Sequence, residues 1–282
     1  MKRYLTKSTK LIGLLIVSTI VLSVLACYSS LKKPKQKNTD LYDNMRTIIF
    51  MTEQQTNEFL MKDSDGYVKQ MTSSDLFARQ AKTHDEYIKM ISKCGQTFTP
   101  AETDKLVQCT RQADEFFASS GYIIDGKLLQ KITWKLALIC GTYEEGIPHT
   151  REDVIFLSRD IVKYTSEDLT SILIHEKVHI FQRYNEEYMT ELLVRLGYHV
   201  AGSTSGDPRY LLRRSNPDIN DTVYINPETG REMIYLYRID KPEFIDDVIK
   251  GADMEHPYEK IAYDIGNKYL QRYLKDIVGK LR

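Results

Sequence analysis

Hydrophobic and polar positions divide this chain into stretches of different periodicity. Between Leu11 and Cys27 the side chains are apolar with a few hydroxyls and no charge. From about Leu41 to Ser120 the spacing reads as helical, with polar breaks at Asp63-Ser64-Asp65-Gly66 and at Gly95. From Ile132 to Cys140 and from Val154 to Leu157 the apolar residues form short continuous runs rich in β-branched and aromatic side chains. The turn Gly146-Ile147-Pro148 separates them, which predicts two strands of one sheet.

Helix starts are marked by side chains that can satisfy the free N–H groups of a first turn. Thr99-Pro100-Ala101-Glu102 combines an N-cap, a proline at the first helical position and a glutamate placed to close a capping box, predicting a helix to Ser119. Thr165-Ser166-Glu167-Asp168 offers a second capping box, and the helix it opens should continue through Ile174, His179 and Arg183. Another helix is expected from about Glu187 to Leu196. A stretch rich in Gly, Pro, Asn and Asp runs from Gly202 to Gly230, and Thr222 to Asn226 with Met233 to Arg238 reads as a hairpin. A last helix begins near Pro257 and runs towards Leu274. Strands followed by helices on a mixed sheet give the fold class α+β. The expected organisation is an anchor or signal segment over 1–28, a basic linker over 29–40, a helical region over 41–130 and an α+β core over 131–282.

Charge changes this picture at the N-terminus. Lys2, Arg3, Lys7 and Lys10 precede the 17-residue apolar run, and Lys32, Lys33, Lys35 and Lys37 follow it. That length suits a short membrane span or a long signal-peptide apolar region, and the balanced flanks leave its orientation open. Val24-Leu25-Ala26-Cys27 also resembles a bacterial lipobox, which would lipidate Cys27. Either route implies a membrane-associated protein with a single N-terminal anchor, or an exported lipoprotein. Over the whole chain 39 basic side chains match 39 acidic ones, and no basic stripe interleaves with aromatics, so nucleic acid is not an expected partner. Cys94, Cys109 and Cys140 are odd in number and show no CxxC spacing, which indicates neither a disulfide framework nor a thiolate zinc site and leaves a single Cys94 to Cys109 bridge open if the domain is exported.

The chemistry sits on the helix opened by Thr165. His175-Glu176-Lys177-Val178-His179 satisfies HExxH, and the i, i+4 spacing brings both imidazoles to one face, where they can converge on one zinc ion. Glu176, rotated part of a turn away, is placed to take a proton from a water as that water attacks a carbonyl. The motif arises by chance in roughly one chain per hundred of this length; its place on a capped helix after strands argues against coincidence. Leu169, Leu173, Ile174, Ile180, Phe181 and Tyr184 fall in an opposite arc suited to burial.

A hydrolytic zinc site usually takes three protein ligands. Glu259, 80 residues beyond His179 in His256-Pro257-Tyr258-Glu259-Lys260-Ile261-Ala262-Tyr263, is the candidate third ligand, and His256 is its rival. In this arrangement the chain resembles the gluzincin peptidases, in which a glutamate on a later helix completes a site of two histidines and one carboxylate. The resemblance covers the active helix and the Glu259 segment. It implies a zincin-like core, a Zn2+ cofactor, metal ligands His175, His179 and Glu259, Glu176 as the catalytic base, and a peptide or protein substrate. Thermolysin-like members carry an aspartate four positions after the glutamate; here Tyr263 stands there and Asp264 follows.

The metzincin pattern fails at Gln182 and Asn185, where it wants glycine and histidine. The deformylase pattern fits little better, because the residues around Cys140 do not match. The turn and strand from Gly146 to Leu157 suggest an edge able to hold a peptide by main-chain pairing, with His149 as a surface turn residue. Tyr198, His199, Tyr210 and Tyr224 are candidates to stabilise an oxyanion, and Arg209, Arg213 and Arg214 to receive a substrate carboxylate. The alternative from another class is a catalytically degenerate zincin fold serving as a binding or structural protein of a membrane or envelope.

Overall fold

A computed structural model describes residues 48–280 apart from 120, 122 and 253, and the described residues belong to one compact unit. The anchor, lipobox and basic linker expected over 1–40 lie outside the described residues. Among the described residues no helix is long and apolar enough to cross a membrane.

A mixed sheet organises the fold. Strands β1 (Ile48–Phe50), β3 (Trp134–Ile139) and β5 (Val154–Ser158) run parallel; β4 (His149–Arg151) pairs antiparallel with β5 at one edge, and β2 (Gly95–Gln96) antiparallel with β3. Leu136–Ile139 of β3 and Val154–Leu157 of β5 are continuously apolar because both faces are covered there. Leu136, Leu138, Ile155 and Leu157 pack into one core, while Ala137, Ile139, Val154 and Phe156 pack into another on the opposite face, as the two-residue period of a strand requires. β1 and β2 lie in the stretch expected to be helical, β2 at the break expected at Gly95. They are too short to set a period of their own and exist because β3 pairs with them.

Helices α1 (Glu53–Lys62), α2 (Ser73–Ala78) and α3 (His84–Ile91) supply the second core through Leu60, Leu76, Tyr87 and Ile91. On the other face lie α4 (Pro100–Ala118), the short α5 (Gly126–Gln130) and α6 (Arg159–Val162), α7 (Ser166–Tyr184), α8 (Glu186–Arg195) and α9 (Pro257–Lys280). α4 begins with the expected capping box at Thr99 and Glu102. At α7 the Thr165 hydroxyl caps the Asp168 N–H, but the Asp168 carboxylate returns to the Thr165 hydroxyl, 2.8 Å away. The hairpin is half realised: β7 (Thr222–Ile225) pairs with β6 (His199–Ser203) and β8 (Glu232–Met233), whereas β9 (Tyr235–Tyr237) pairs with β10 (Val248–Lys250).

The expected arc of α7 is buried except for Tyr184, which is exposed, and the helix is held from the far side as well. Lys177, inside the HExxH stretch, is fully buried with its Nζ 3.1 Å from Asp114 and 3.8 Å from the centre of the Trp134 ring. On the ligand side α9 packs along α7. A Cβ at Gly266 would stand 3.1 Å from both the main-chain oxygen and the hydroxyl of Ser171, so glycine permits this close crossing.

Cys94 and Cys140 form a disulfide with their Cα atoms 4.8 Å apart, in place of the Cys94–Cys109 pairing that the sequence left open. Pairing of Gly95 with Ile139 brings Cys94 beside Cys140, while Cys109 faces the core from α4. The bridge spans 46 residues, for which the chain-entropy model gives about 4 kcal/mol. Cys94→Ser with Cys140→Ser should lower unfolding stability by about 2–4 kcal/mol in urea titrations, and reduction of the parent should shift its midpoint in the same direction.

Candidate metal centre

α7 presents His175 and His179 one turn apart, and the first turn of α9 brings Glu259 to meet them. The Nε2 atoms of the two histidines lie 2.9 Å apart, and Glu259 Oε2 stands 3.4 Å from His175 and 3.6 Å from His179. These three side chains form a group that could hold a metal ion, with donor atoms all within 4.8 Å of one another. Their separations bracket the roughly 3.3 Å edge of a tetrahedron with ligands about 2.05 Å from its centre, the spacing that zinc–nitrogen and zinc–carboxylate bonds require.

Orienting partners reinforce the arrangement. His179 Nδ1 bonds to Gln182 Oε1 at 2.8 Å, and Gln182 Nε2 donates to the Tyr258 carbonyl at 3.0 Å. In the neutral form with Nδ1 carrying the proton, as a metal would require, His179 Nε2 keeps its lone pair for the cluster. The residue that breaks the metzincin pattern thus holds a histidine and ties α7 to the start of α9. Asp264 is exposed and bonded to Lys260, so it does not orient His175; Tyr263 instead sets its ring edge-on to His175, 4.5 Å between centroids.

His256 does not join the cluster. It is buried, its Nδ1 accepts the Tyr258 N–H at 3.1 Å, and its Nε2 lies 3.2 Å from Asn220 Oδ1. Burial pushes its pKa down to about 3.

Glu176 is 3% exposed, and its Oε2 has no hydrogen-bond partner among the described residues. Burial first, then the charges of Asp218 and Glu259, raise its pKa well above the usual carboxylate range, with Arg183 only partly offsetting them. Glu259 goes the other way. Burial opposes its ionisation, but the charge on His179 and hydrogen bonds from both histidines outweigh it and hold the carboxyl well below its ordinary value. His175 is lowered by burial and by His179, whereas His179 is raised because Glu259 and Asp218 overcome its burial.

The cluster opens onto a cleft of about 740 Å³ with an apolar wall that includes Ile147, Pro148, Ile161 and Ile172. None of Tyr198, His199, Tyr210 and Tyr224 lines it; the tyrosines that do are Tyr235 and Tyr263. Arg209, Arg213 and Arg214 each already face a carboxylate, on Asp207, Asp221 and Glu255. Cys140, bound in the disulfide, cannot serve as a deformylase-type ligand.

Two expectations about β4 change. His149 is not a surface residue: it is 2% exposed and lines the cleft, with Nδ1 on the Ile147 carbonyl and Nε2 without a partner among the described residues. The outward edge of the strand is also already occupied. The Thr150 N–H donates to Asp218 Oδ1 at 2.7 Å, its carbonyl accepts from Arg183 at 3.2 Å, and Pro148 has no N–H to offer. A peptide therefore does not find free main-chain partners at Thr150.

Asn216 and Asp218 were legible only as part of a polar loop. Asn216 donates to Glu259 at 2.8 Å, and Asp218 accepts from both the main chain and the hydroxyl of Thr150. Comparisons with protein-family models, curated proteins and solved structures found no match.

Proposed function

We propose that this protein is a zinc-dependent hydrolase of gluzincin type, most plainly a metallopeptidase, built on a zincin-like core and tethered to a membrane by its N-terminal segment. The observation that carries the reading is the meeting of His175, His179 and Glu259 beside a buried carboxylate oxygen, on Glu176, that has no partner among the described residues. Zinc bound by these three side chains would supply a Lewis acid for a substrate carbonyl and for a water. Glu176 Oε2 would take the proton of that water, and burial beside two carboxylates gives it the proton affinity the task needs. A cation in the cluster would offset the Glu259 charge and so ease ionisation of Glu176 at rest. Gln182 would keep His179 in the tautomer that coordinates.

The Cys94–Cys140 disulfide supports export of the domain to an oxidising compartment, consistent with an N-terminal anchor or lipidated Cys27. The side-chain occupation of the β4 edge favours a substrate recognised chiefly by its side chains in the cleft rather than by strand addition along Thr150.

Zinc content of the purified full-length chain, measured by mass spectrometry, tests the site. About one zinc per chain is expected, lost in His175→Ala and Glu259→Ala and retained in His256→Ala. A folded parent without zinc, at saturating metal, would turn the reading towards a membrane-bound binding or structural module.

A further inference from the structure

Coordination by Glu259 requires Oε2 to stay turned towards the histidines, and the other oxygen shows what holds it. Glu259 Oε1 accepts from Asn216 Nδ2 at 2.8 Å, and the same nitrogen donates to Glu255 Oε1 at 2.6 Å. The orientation of this amide is fixed by its other end, because Asn216 Oδ1 accepts the Asp218 N–H at 2.9 Å. A neutral donor is thus wedged between two buried carboxylates, one of them in the metal cluster.

Asn216 is in turn held from the N-terminal helices. The Ser215 N–H and hydroxyl each donate to a different oxygen of Asp75, both at 2.7 Å, and the Ser215 carbonyl accepts from Arg79 at 3.1 Å. Asp75 is fully buried on α2. On the far side of Asn216 the Pro217 carbonyl accepts from Arg183, and Asp218 holds Thr150. The segment carrying Asn216 is pinned at both ends.

We infer that Asn216 is a positioning residue for the metal ligand Glu259 and that Asp75 places it through Ser215, making the N-terminal helical region part of the metal centre. This rests on the metal-site reading above. Without the Asn216 donor, the Glu259 carboxylate is free to rotate and meets the Glu255 charge directly. Loss of an outer hydrogen-bond partner of this kind characteristically weakens metal binding about 10–100-fold.

The experiment is zinc titration of the full-length chain against a chromophoric chelator, with cobalt(II) substituted in parallel so that its visible bands report ligand geometry. Asn216→Leu keeps the side-chain size and removes the donor. It should weaken zinc about 10–100-fold and change the cobalt spectrum, while the metal-free variant still melts cooperatively. Asn216→Ser serves by the same criteria if the leucine variant does not fold. Asp75→Asn should weaken zinc by a smaller factor. A zinc affinity within about twofold of the parent and an unchanged cobalt spectrum in a folded Asn216 variant would overturn the proposal, and parental behaviour in folded Asp75→Asn would overturn the link to the N-terminal helices. A parent that binds neither metal would instead refute the underlying metal site.

Discussion

Glu176→Gln is expected to reduce peptide hydrolysis by roughly 10²–10⁴-fold while leaving zinc content at the parental level. The amide matches the carboxylate in size but cannot take up the proton that the proposed mechanism assigns to Oε2. Glu176 lies outside the three-ligand group, so its loss leaves the donors of the cluster intact. Turnover of a quenched fluorescent peptide pool, read beside zinc content, separates the possibilities: full activity would remove Glu176 from the mechanism, and loss of zinc would make it a ligand or a structural support. The substitution also has a signature without metal. Because the folded pKa is raised well above 4.5, folding binds the proton more tightly, and the Glu176 contribution to stability falls as pH rises from the unfolded value towards the folded one. The metal-free Gln variant should therefore lose less stability than the parent on raising pH through that window. Melting curves across pH, compared between the two proteins, check the sign.

The second large effect is on the fold. Arg79→Leu should cost about 3–5 kcal/mol, the usual consequence of removing one partner from a buried ion pair. The Arg79 side chain is 2% exposed and donates to Glu144 at 2.9 and 2.6 Å, to the Tyr67 hydroxyl at 2.9 Å and to the Ser215 carbonyl at 3.1 Å. Burial opposes the charge on Glu144, but Arg79 outweighs it and keeps that carboxyl below its ordinary pKa. Leucine would leave Glu144 and Asp75 without their guanidinium in the interior. Urea denaturation of the metal-free chain measures the loss, and Arg79→Leu combined with Glu144→Leu should recover part of it. A loss below about 1 kcal/mol, the range of a surface pair, would show that water reaches this network.

Some of this arrangement could be read from the chain alone because it depends on neighbours in sequence. The capping residues Thr99 and Thr165 placed two helix starts, and α4 and α7 begin there. The apolar runs around Leu136 and Ile155 gave strands within one or two residues of those observed. β1 and β2 escaped notice because strands of three and two residues carry no period and take their form from β3. The hairpin expectation paired Thr222–Asn226 with the whole of Met233–Arg238, but only Glu232–Met233 meets β7, since Tyr235–Tyr237 finds a second partner in Val248–Lys250.

The candidate site divides the same way. The spacing of His175, Glu176 and His179 on one helix is local geometry, and the sequence by itself determined that two imidazoles and a carboxylate would lie near one another. Glu259 and His256 were both open as third ligand, because helical phase says nothing about which helix crosses which. The close passage of α9 over α7 at Gly266 brings Glu259 beside the two histidines and leaves His256 near Asn220. Tertiary packing alone also chose Cys140 for Cys94, buried His149 in the cleft wall, occupied the edge at Thr150, and brought Gln182, Asn216 and Asp218 to the centre. Each of those depends on hydrogen bonds or a crosslink completed by distant segments and by burial from solvent, and no periodicity along the chain encodes such a meeting.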